Sequence, residues 1–308
     1  MIRGNNIIID TDSGADDTFC IGNMIVLHKQ GRCNILGITT TCGNISASDS
    51  YQTCNVIMKD IFNMKHIPIF ESPSSKILDH KCSYFYGKDG HYGKINEISN
   101  GMYNDSNIIS NDFLLQRLNN VRDLTIIAIG PLTNLYLAEQ KQPGILNKAK
   151  QIIIMGGAVK VPGNINQFAE YNFWMNPQAA KCVLKSNNNI VLFPLDITHK
   201  LRFSIQNILD RLKRHKNKKF YEYIISKMVD QMIKHNEISR YDKRLIIHDV
   251  LTALYYEQPD LFYIKAEKVI VNDKGGIEIN PNGYKIKVAY DCKDYVKAQT
   301  MMLKIFDL

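Results

Sequence analysis

The sequence of 308 residues has no apolar run approaching the ~20 residues that a membrane-spanning helix needs. No membrane partner is expected. Its opening, MIRGNNIII, holds an apolar stretch too short for a secretory signal, so a cytoplasmic protein is expected. No Pro/Ser-rich linker, internal repeat or low-complexity tract interrupts the chain. One domain over residues 1–308 is the simplest reading. There is no CxxC pair, and the cysteine count of seven is odd; both fit an intracellular chain without a disulfide framework. Cys20, Cys33, Cys42, Cys54, Cys82, Cys182 and Cys292 read as small, partly buried hydrophobes, and nothing supports a catalytic thiol among them. Zinc-finger and RNP signatures are missing too. The net charge of +8 raises nucleic acid as a partner. The excess is concentrated between Lys200 and Lys243, as in RLKRHKNKKF, where a solvated helix face is the simpler account. No nucleic-acid partner is expected.

What is present is a repeated local pattern. A short β-branched apolar run is followed by Gly, Asp, Asn or Thr and then by a helical pattern. NIIIDTD, NILGITTTCGN, LTIIAIGPLTN, QIIIMGGA and NIVLFPLDITH are such runs. Apolar on both faces, each is expected as a buried parallel strand. Helices are expected at Asp17–Gln30, Ala47–Phe62, Leu132–Gln140 and Pro177–Ser186, the last started by Asn176 as cap with Pro177 in the first turn. Residues 204–239 read as a long helical excursion, and residues 265–290 as a β-hairpin turning at Asn282-Gly283. The expected class is α/β, a Rossmann-like open, mainly parallel sheet flanked by helices. Ligands of such sheets bind beyond the carboxyl ends of the strands. Asp10 to Asp17, Asn44, Gly130 and the segment after Met155 should therefore converge on one site.

Within NNIIIDTDSGADDTFC, Asp10, Asp12, Asp16 and Asp17 fall in eight residues. Two carboxylates about 4 Å apart repel by roughly 4 kcal/mol at a protein-like dielectric. One or two aspartates could cap the following helix; four exceed any capping need. All the obvious ligands are carboxylate oxygens, with no nearby His or Cys, which selects Ca²⁺ or Mg²⁺ over zinc. An EF-hand is excluded, because Ala15 and Ile21 stand where that loop needs Gly and Glu. An apolar strand followed by D-x-D also resembles the opening of haloacid dehalogenase-type phosphatases, whose first Asp is a nucleophile beside Mg²⁺. Against that reading, Gly14 stands where that family usually has Thr or Val, and no later pair of acidic magnesium ligands is evident.

A second resemblance spans almost the whole chain. DTDSGADD resembles the D-x-D-P-G-x-D-D opening of the inosine-uridine nucleoside hydrolases. TTCGN, ending at Asn44, resembles their second motif, and IGPLTN at Ile129–Asn134 their G-P-L-T-N segment. MGGAVKVPGNINQFAEYN at Met155–Asn172 resembles M-G-G…G-N…A-E-x-N, and HDVLTALY at His248–Tyr255 the late H-D-x-x-A motif. The five segments keep the family order. The resemblance implies the nucleoside hydrolase fold. It implies Ca²⁺-dependent hydrolysis of the N-glycosidic bond of ribonucleosides to ribose and free base, of the broad inosine/uridine type, serving salvage. It also implies a homo-oligomer, dimer or tetramer.

By the same resemblance, Asp12, Asp17, Asp249 and the backbone carbonyl of Ile129 hold the metal. Asp12 is also the general base for the attacking water, and Asp16 accepts from a ribose hydroxyl. Asp10 stands behind these residues and orients them. Asn164, Glu170 and Asn172 bind the ribose, and Asn44 lines the same pocket. His248 assists the leaving base; a purine-selective branch has Trp there. Tyr171 and Trp174 read as core or pocket wall. Three departures stand out. Ser13 replaces a Pro and should loosen the turn. Tyr86 replaces a His near the nucleobase. Asn176 replaces an Asp, conservatively if it caps a helix. Arg240 and Tyr241 are further candidates for nucleobase contact. A non-catalytic nucleoside-binding protein on the same scaffold is the third reading.

Overall fold

The computed structural model describes residues 5–73, 78, 81–84, 87–91, 93, 95, 101–103, 108–186, 189–214 and 244–308. In strand β1 (Asn5–Thr11), Ile7, Ile8 and Ile9 have no exposed surface. Ile7 and Ile9 pack on one face of the sheet, against helices Ala15–Lys29 and Val250–Glu257. Ile8 packs on the other, with helices Ser110–Asn120, Thr133–Lys141 and Pro177–Ser186. The same division recurs in β4 (Thr125–Ala128), β5 (Gln151–Met155) and β6 (Ile190–Phe193): Ile127, Ile153 and Val191 join the first core, Ile126, Ile152 and Ile190 the second. A strand covered on both faces has no polar side to show, hence the unbroken apolar runs. Each such side chain contributes about 1.5–3 kcal/mol of burial.

β1 pairs in parallel with β4 on one side and on the other with β2 (Cys33–Thr40), which pairs in parallel with β3 (Ile69–Phe70). β5 and β6 extend the parallel sheet beyond β4. β7 (Arg202–Ser204) and β8 (Arg244–Ile246) form an antiparallel ribbon of their own. The far edge of the main sheet is built from β9 (Phe262–Val271), β10 (Ile277–Ile279) and β11 (Tyr284–Cys292). The nine-stranded order is β10-β9-β11-β6-β5-β4-β1-β2-β3.

The expected hairpin over 265–290 is thus a three-stranded unit. The turn at Asn282-Gly283 exists, with Gly283 N–H donating to Asn280 O at 2.9 Å. It returns the chain from β10, however, and β11 then pairs with β9. The extra strand is short and follows a tight turn in which Asn272 Oδ1 accepts from Lys274 and Gly276 N–H. The helix expected over Ala47–Phe62 also changes pitch. After Asn55 it runs as a π-helical segment, Val56–Ile61, closed by Phe62 N–H to Ile57 O at 3.0 Å. Pro177–Ser186 is helical as expected, and Asn176 caps it through Oδ1 to Ala179 N–H at 3.0 Å. Of the excursion over 204–239, Ile205–Arg214 is helical and residues 215–239 lie outside the described residues. Among the described residues no helix is long and apolar enough to cross a membrane.

Candidate active site

The site grows from the turn between β1 and helix Ala15–Lys29. Asp17 lies in the first turn of that helix, where the backbone dipole favours negative charge. Its carboxylate accepts from the Thr11 hydroxyl and, at 2.9 Å, from Gly14 N–H. Ser13 has φ 57°, the left-handed region that costs an L-residue roughly 1–2 kcal/mol. It is held there on several sides. Its hydroxyl donates to Ser50 O and accepts from Ser50 Oγ, both at 3.0 Å, and its N–H donates to Thr11 Oγ1 at 3.1 Å. Ser13 therefore ties the turn to helix Ala47–Asn55; the expected loosening is not found. Asp12 faces the end of β2, where Asn44 N–H donates to its Oδ2 at 2.7 Å and Asn44 Nδ2 to its Oδ1 at 3.2 Å. That approach needs Gly43: a Cβ there would lie 2.0 Å from Asp12 Oδ2.

The carboxyl ends of the strands open onto a cavity of about 320 Å³, with Asp12, Asp16, Asn44, Ile129, Asn164, Glu170, Asn172, His248 and Asp249 among its lining. Asp249 arrives from the start of helix Val250–Glu257. Carboxylate oxygens of Asp16, Asp17 and Asp249 lie within 4.8 Å of one another. Asp12 adjoins them, feeling the charge of Asp16 and a hydrogen bond with Asp17. Burial, with a further push from Asp16, raises the Asp12 pKa to about 7 against the hydrogen bonds from Asn44. Burial raises Asp16 as well. Asp17 is driven well above the carboxylate range by burial and by Asp12 and Asp16; Asp249 by burial and by Asp16 and Asp17. Among the described residues no lysine or arginine forms an ion pair with any of these four. Buried carboxylates without a basic partner, all offering oxygen, are a donor set that fits a hard divalent cation.

The opposite wall is the segment after β5. Glu170 Oε2 accepts from Gly157 N–H at 2.8 Å and Phe173 N–H at 3.3 Å, and Oε1 from Asn172 N–H at 2.9 Å. It thereby caps helix Tyr171–Met175, and burial raises its pKa to about 7. Asn172 Nδ2 donates to Ile129 O at 3.2 Å and Met155 O at 3.4 Å, spanning the ends of β4 and β5. Asn164 Oδ1 accepts from Tyr171 N–H at 2.9 Å. His248 Nδ1 lies 2.8 Å from Thr198 Oγ1. Burial and neighbouring His199 lower its pKa to about 3, so its imidazole is neutral at pH 7.

Comparison with known proteins decides the family. The inosine-uridine preferring nucleoside hydrolase family matches residues 7–300. The chain belongs to this family. Uridine nucleosidase 1 of Arabidopsis thaliana is 30% identical over 281 residues, covering 89% of this chain and 80% of that protein. An uncharacterised protein of Schizosaccharomyces pombe is 35% identical over 207 residues, covering 66% of this chain and 64% of that one. Among solved structures, a plant nucleoside hydrolase superposes with a TM-score of 0.85 at 25% identity, covering 98% of each chain. The protein is thus a nucleoside hydrolase with a mainly parallel α/β fold, and its chemistry is hydrolysis of the ribonucleoside N-glycosidic bond. The phosphatase reading gains no support. Asp10, the nucleophile it requires, is fully buried behind the cavity, bonded through Oδ1 to Thr39 at 2.5 Å and Asn134 at 2.7 Å.

Of the site residues singled out from sequence, Asp12, Asp16, Asn44, Ile129, Asn164, Glu170, Asn172, His248 and Asp249 line this one cavity and Asp17 joins their carboxylate cluster, whereas Asp10 lies buried behind it and Tyr86, Arg240 and Tyr241 lie outside the described residues. Other contributors were not given their roles from sequence, although Asn134 closes the IGPLTN motif and Tyr171 reads as core or pocket wall. Asn134 reaches Asp10, Thr40 O and, through Oδ1, the Ser72 hydroxyl. Thr198 orients His248 across 50 residues of sequence. Tyr171 lines the cavity, and its hydroxyl donates to Gly43 O at 2.8 Å and accepts from Ser83 N–H at 3.0 Å. Ser83, Met155 and Ile165 complete the lining.

Proposed function

We propose that the protein is a Ca²⁺-dependent hydrolase of broad inosine/uridine-type specificity, acting in nucleobase salvage as a cytoplasmic homo-oligomer. The observation that carries this is one cavity lined by Asp12 and Asp16, with Asp249, on one side and by Asn164, Glu170 and Asn172 on the other. Asp12, Asp17, Asp249 and the Ile129 carbonyl would hold the cation. Asp16 stands in the same cluster and turns a carboxylate toward the substrate. All-oxygen donors favour Ca²⁺ or Mg²⁺, and Ca²⁺ accepts irregular, flexible coordination more readily. When bound, the cation supplies charge neutralisation and Lewis-acid polarisation of oxygen.

The chain's own residues divide the remaining work. Asp12, oriented by both bonds from Asn44, takes the proton from the attacking water. Asp16 accepts a hydrogen bond from a ribose hydroxyl, and Asn164, Glu170 and Asn172 hold the rest of the sugar. Glu170 spends three acceptor sites on backbone N–H groups, and a carboxylate has about four, so one remains for a hydroxyl. The glycosidic bond breaks through an oxocarbenium-like state, whose positive charge the surrounding carboxylates favour. His248, a neutral imidazole turned by Thr198, hydrogen-bonds the departing base.

The deciding experiment incubates the purified protein with inosine, uridine, cytidine or adenosine and measures free base and ribose, with and without a chelator. Release of base from inosine and uridine, abolished by chelation and restored by Ca²⁺, is expected. Full activity in chelator overturns the metal assignment. Tight nucleoside binding without product would make the chain a binding protein.

A further inference from the structure

Cys42 and Cys82 are 40 residues apart in sequence, yet their Sγ atoms lie 2.8 Å apart. A disulfide needs about 2.05 Å, so a shift of under about 1 Å would join them. Cys42 is buried and Cys82 half-buried, within one small apolar cluster flanked by Tyr171 and Trp174. Cys42 sits two residues before Asn44, which holds Asp12, and Cys82 immediately precedes Ser83, which lines the cavity. The two segments already clasp each other. Tyr84 N–H donates to Asn44 O at 3.0 Å, and the Tyr171 hydroxyl bridges Gly43 O and Ser83 N–H.

We propose that Cys42 and Cys82 are a modification site: a peroxide converts them to a reversible disulfide that ties the cavity wall at Ser83 to the turn holding Asp12, making hydrolysis responsive to redox state. The effect on hydrolysis rests on the function proposed above; the bond itself does not. Cys82, the more exposed thiol, loses its proton and attacks a peroxide oxygen. The O–O bond breaks, the departing hydroxide takes that proton as water, and Cys82 becomes a sulfenic acid. The Cys42 sulfur then attacks the Cys82 sulfur. The S–S bond forms, the S–O bond breaks, and hydroxide leaves as water with the Cys42 proton. The two thiols together give up two electrons and the peroxide accepts two. A dithiol reductant reverses the bond by exchange. Cys182, the other partly exposed thiol, faces Gln140 instead. Because Ser83 lines the cavity while Asp12 keeps its bonds to Asn44, the constraint falls on substrate entry: KM rises and kcat changes little.

The test treats the purified full-length chain with hydrogen peroxide, alkylates the remaining thiols, and maps peptides by mass spectrometry beside steady-state kinetics on inosine. Loss of two of the seven alkylatable thiols, a Cys42–Cys82 linked peptide and a several-fold rise in KM reversed by dithiothreitol are expected. Cys82→Ser and Cys42→Ser should both keep a peroxide-insensitive KM. Recovery of Cys82 as a sulfinic acid, or only in intermolecular links, overturns the site. A linked peptide with unchanged KM overturns the redox control. A linked peptide in a protein that hydrolyses no nucleoside sinks both that control and the hydrolase reading, while the bond stands.

Discussion

Asn44 grips Asp12 twice, its backbone N–H reaching Oδ2 at 2.7 Å and its side-chain amide reaching Oδ1 at 3.2 Å. The two bonds are separable by mutation. Asp12→Ala removes the proposed base, and kcat on inosine should fall by about 10²–10⁴. Asn44→Ala keeps the backbone bond and removes one hydrogen bond to a charged group, about 1.5–3 kcal/mol, so kcat should fall roughly 10- to 100-fold. Equal losses in the two variants, with circular dichroism unchanged, would show that Asn44 does more than orient Asp12.

The carboxylate cluster links metal binding to pH. In the cation-free protein the folded pKa of Asp12, about 7, lies above the unfolded value of about 3.9. Its stabilising contribution is therefore complete below the unfolded value and lost as pH rises through about 7. Asp17 and Asp249 are also raised well above the usual carboxylate range, chiefly by burial, and act in the same sense. Cation binding needs the ionised forms, so it should release protons and tighten as pH rises. The increase in Tm on adding Ca²⁺ should be larger at pH 8 than at pH 5, and titration calorimetry in buffers of different ionisation enthalpy should show proton release. Asp17→Asn should weaken binding strongly. An increase in Tm that is independent of pH would contradict this account.

His248 can be separated from the metal by choice of substrate. His248→Ala should slow inosine hydrolysis while sparing a riboside whose aglycone leaves without a proton, by a factor of about 10²–10⁴ if the residue assists departure. Equal losses on both substrates would mean that His248 holds the site together. If Tyr86→Phe alone shows the selective loss, the role belongs to Tyr86.

Ser13 offers a stability test. The family motif has proline here, but φ is 57° in this chain, and proline is fixed near −65°. Ser13→Pro should therefore destabilise by more than about 1 kcal/mol, read as a lower urea midpoint. Ser50→Ala, which removes the hydroxyl donor to Ser13, should cost less. A Ser13→Pro variant as stable as the parent would show that the turn is freely remodelled.

The parts legible in the sequence were those in which one segment determines its own environment. Ile7–Ile9 and Ile152–Ile154 announce strands covered on both faces because no polar residue interrupts them. The aspartates after β1 announce a charge problem in their own spacing. The parts that escaped depend on distant partners. Ile277–Ile279 is too short to read as a strand until β9 supplies its ladder. The turn from Gly156 to Glu170 reads as loop, yet Glu170 bonds Gly157 across 13 residues. The change of pitch at Val56–Ile61 has no proline or glycine to mark it.

Glu170 has a consequence for how this protein can change over evolutionary time. One carboxylate closes the turn after β5, starts helix Tyr171–Met175 and faces the cavity. A lineage drifting toward a different sugar cannot revise that position alone, because the same substitution undoes the wall that presents it. Ile165 lines the same cavity from a side chain that is 42% exposed and carries no polar group. Replacements there reshape the cavity without dismantling it. The molecule is thus constrained at Glu170 and permissive at Ile165, an asymmetry built into its hydrogen bonds.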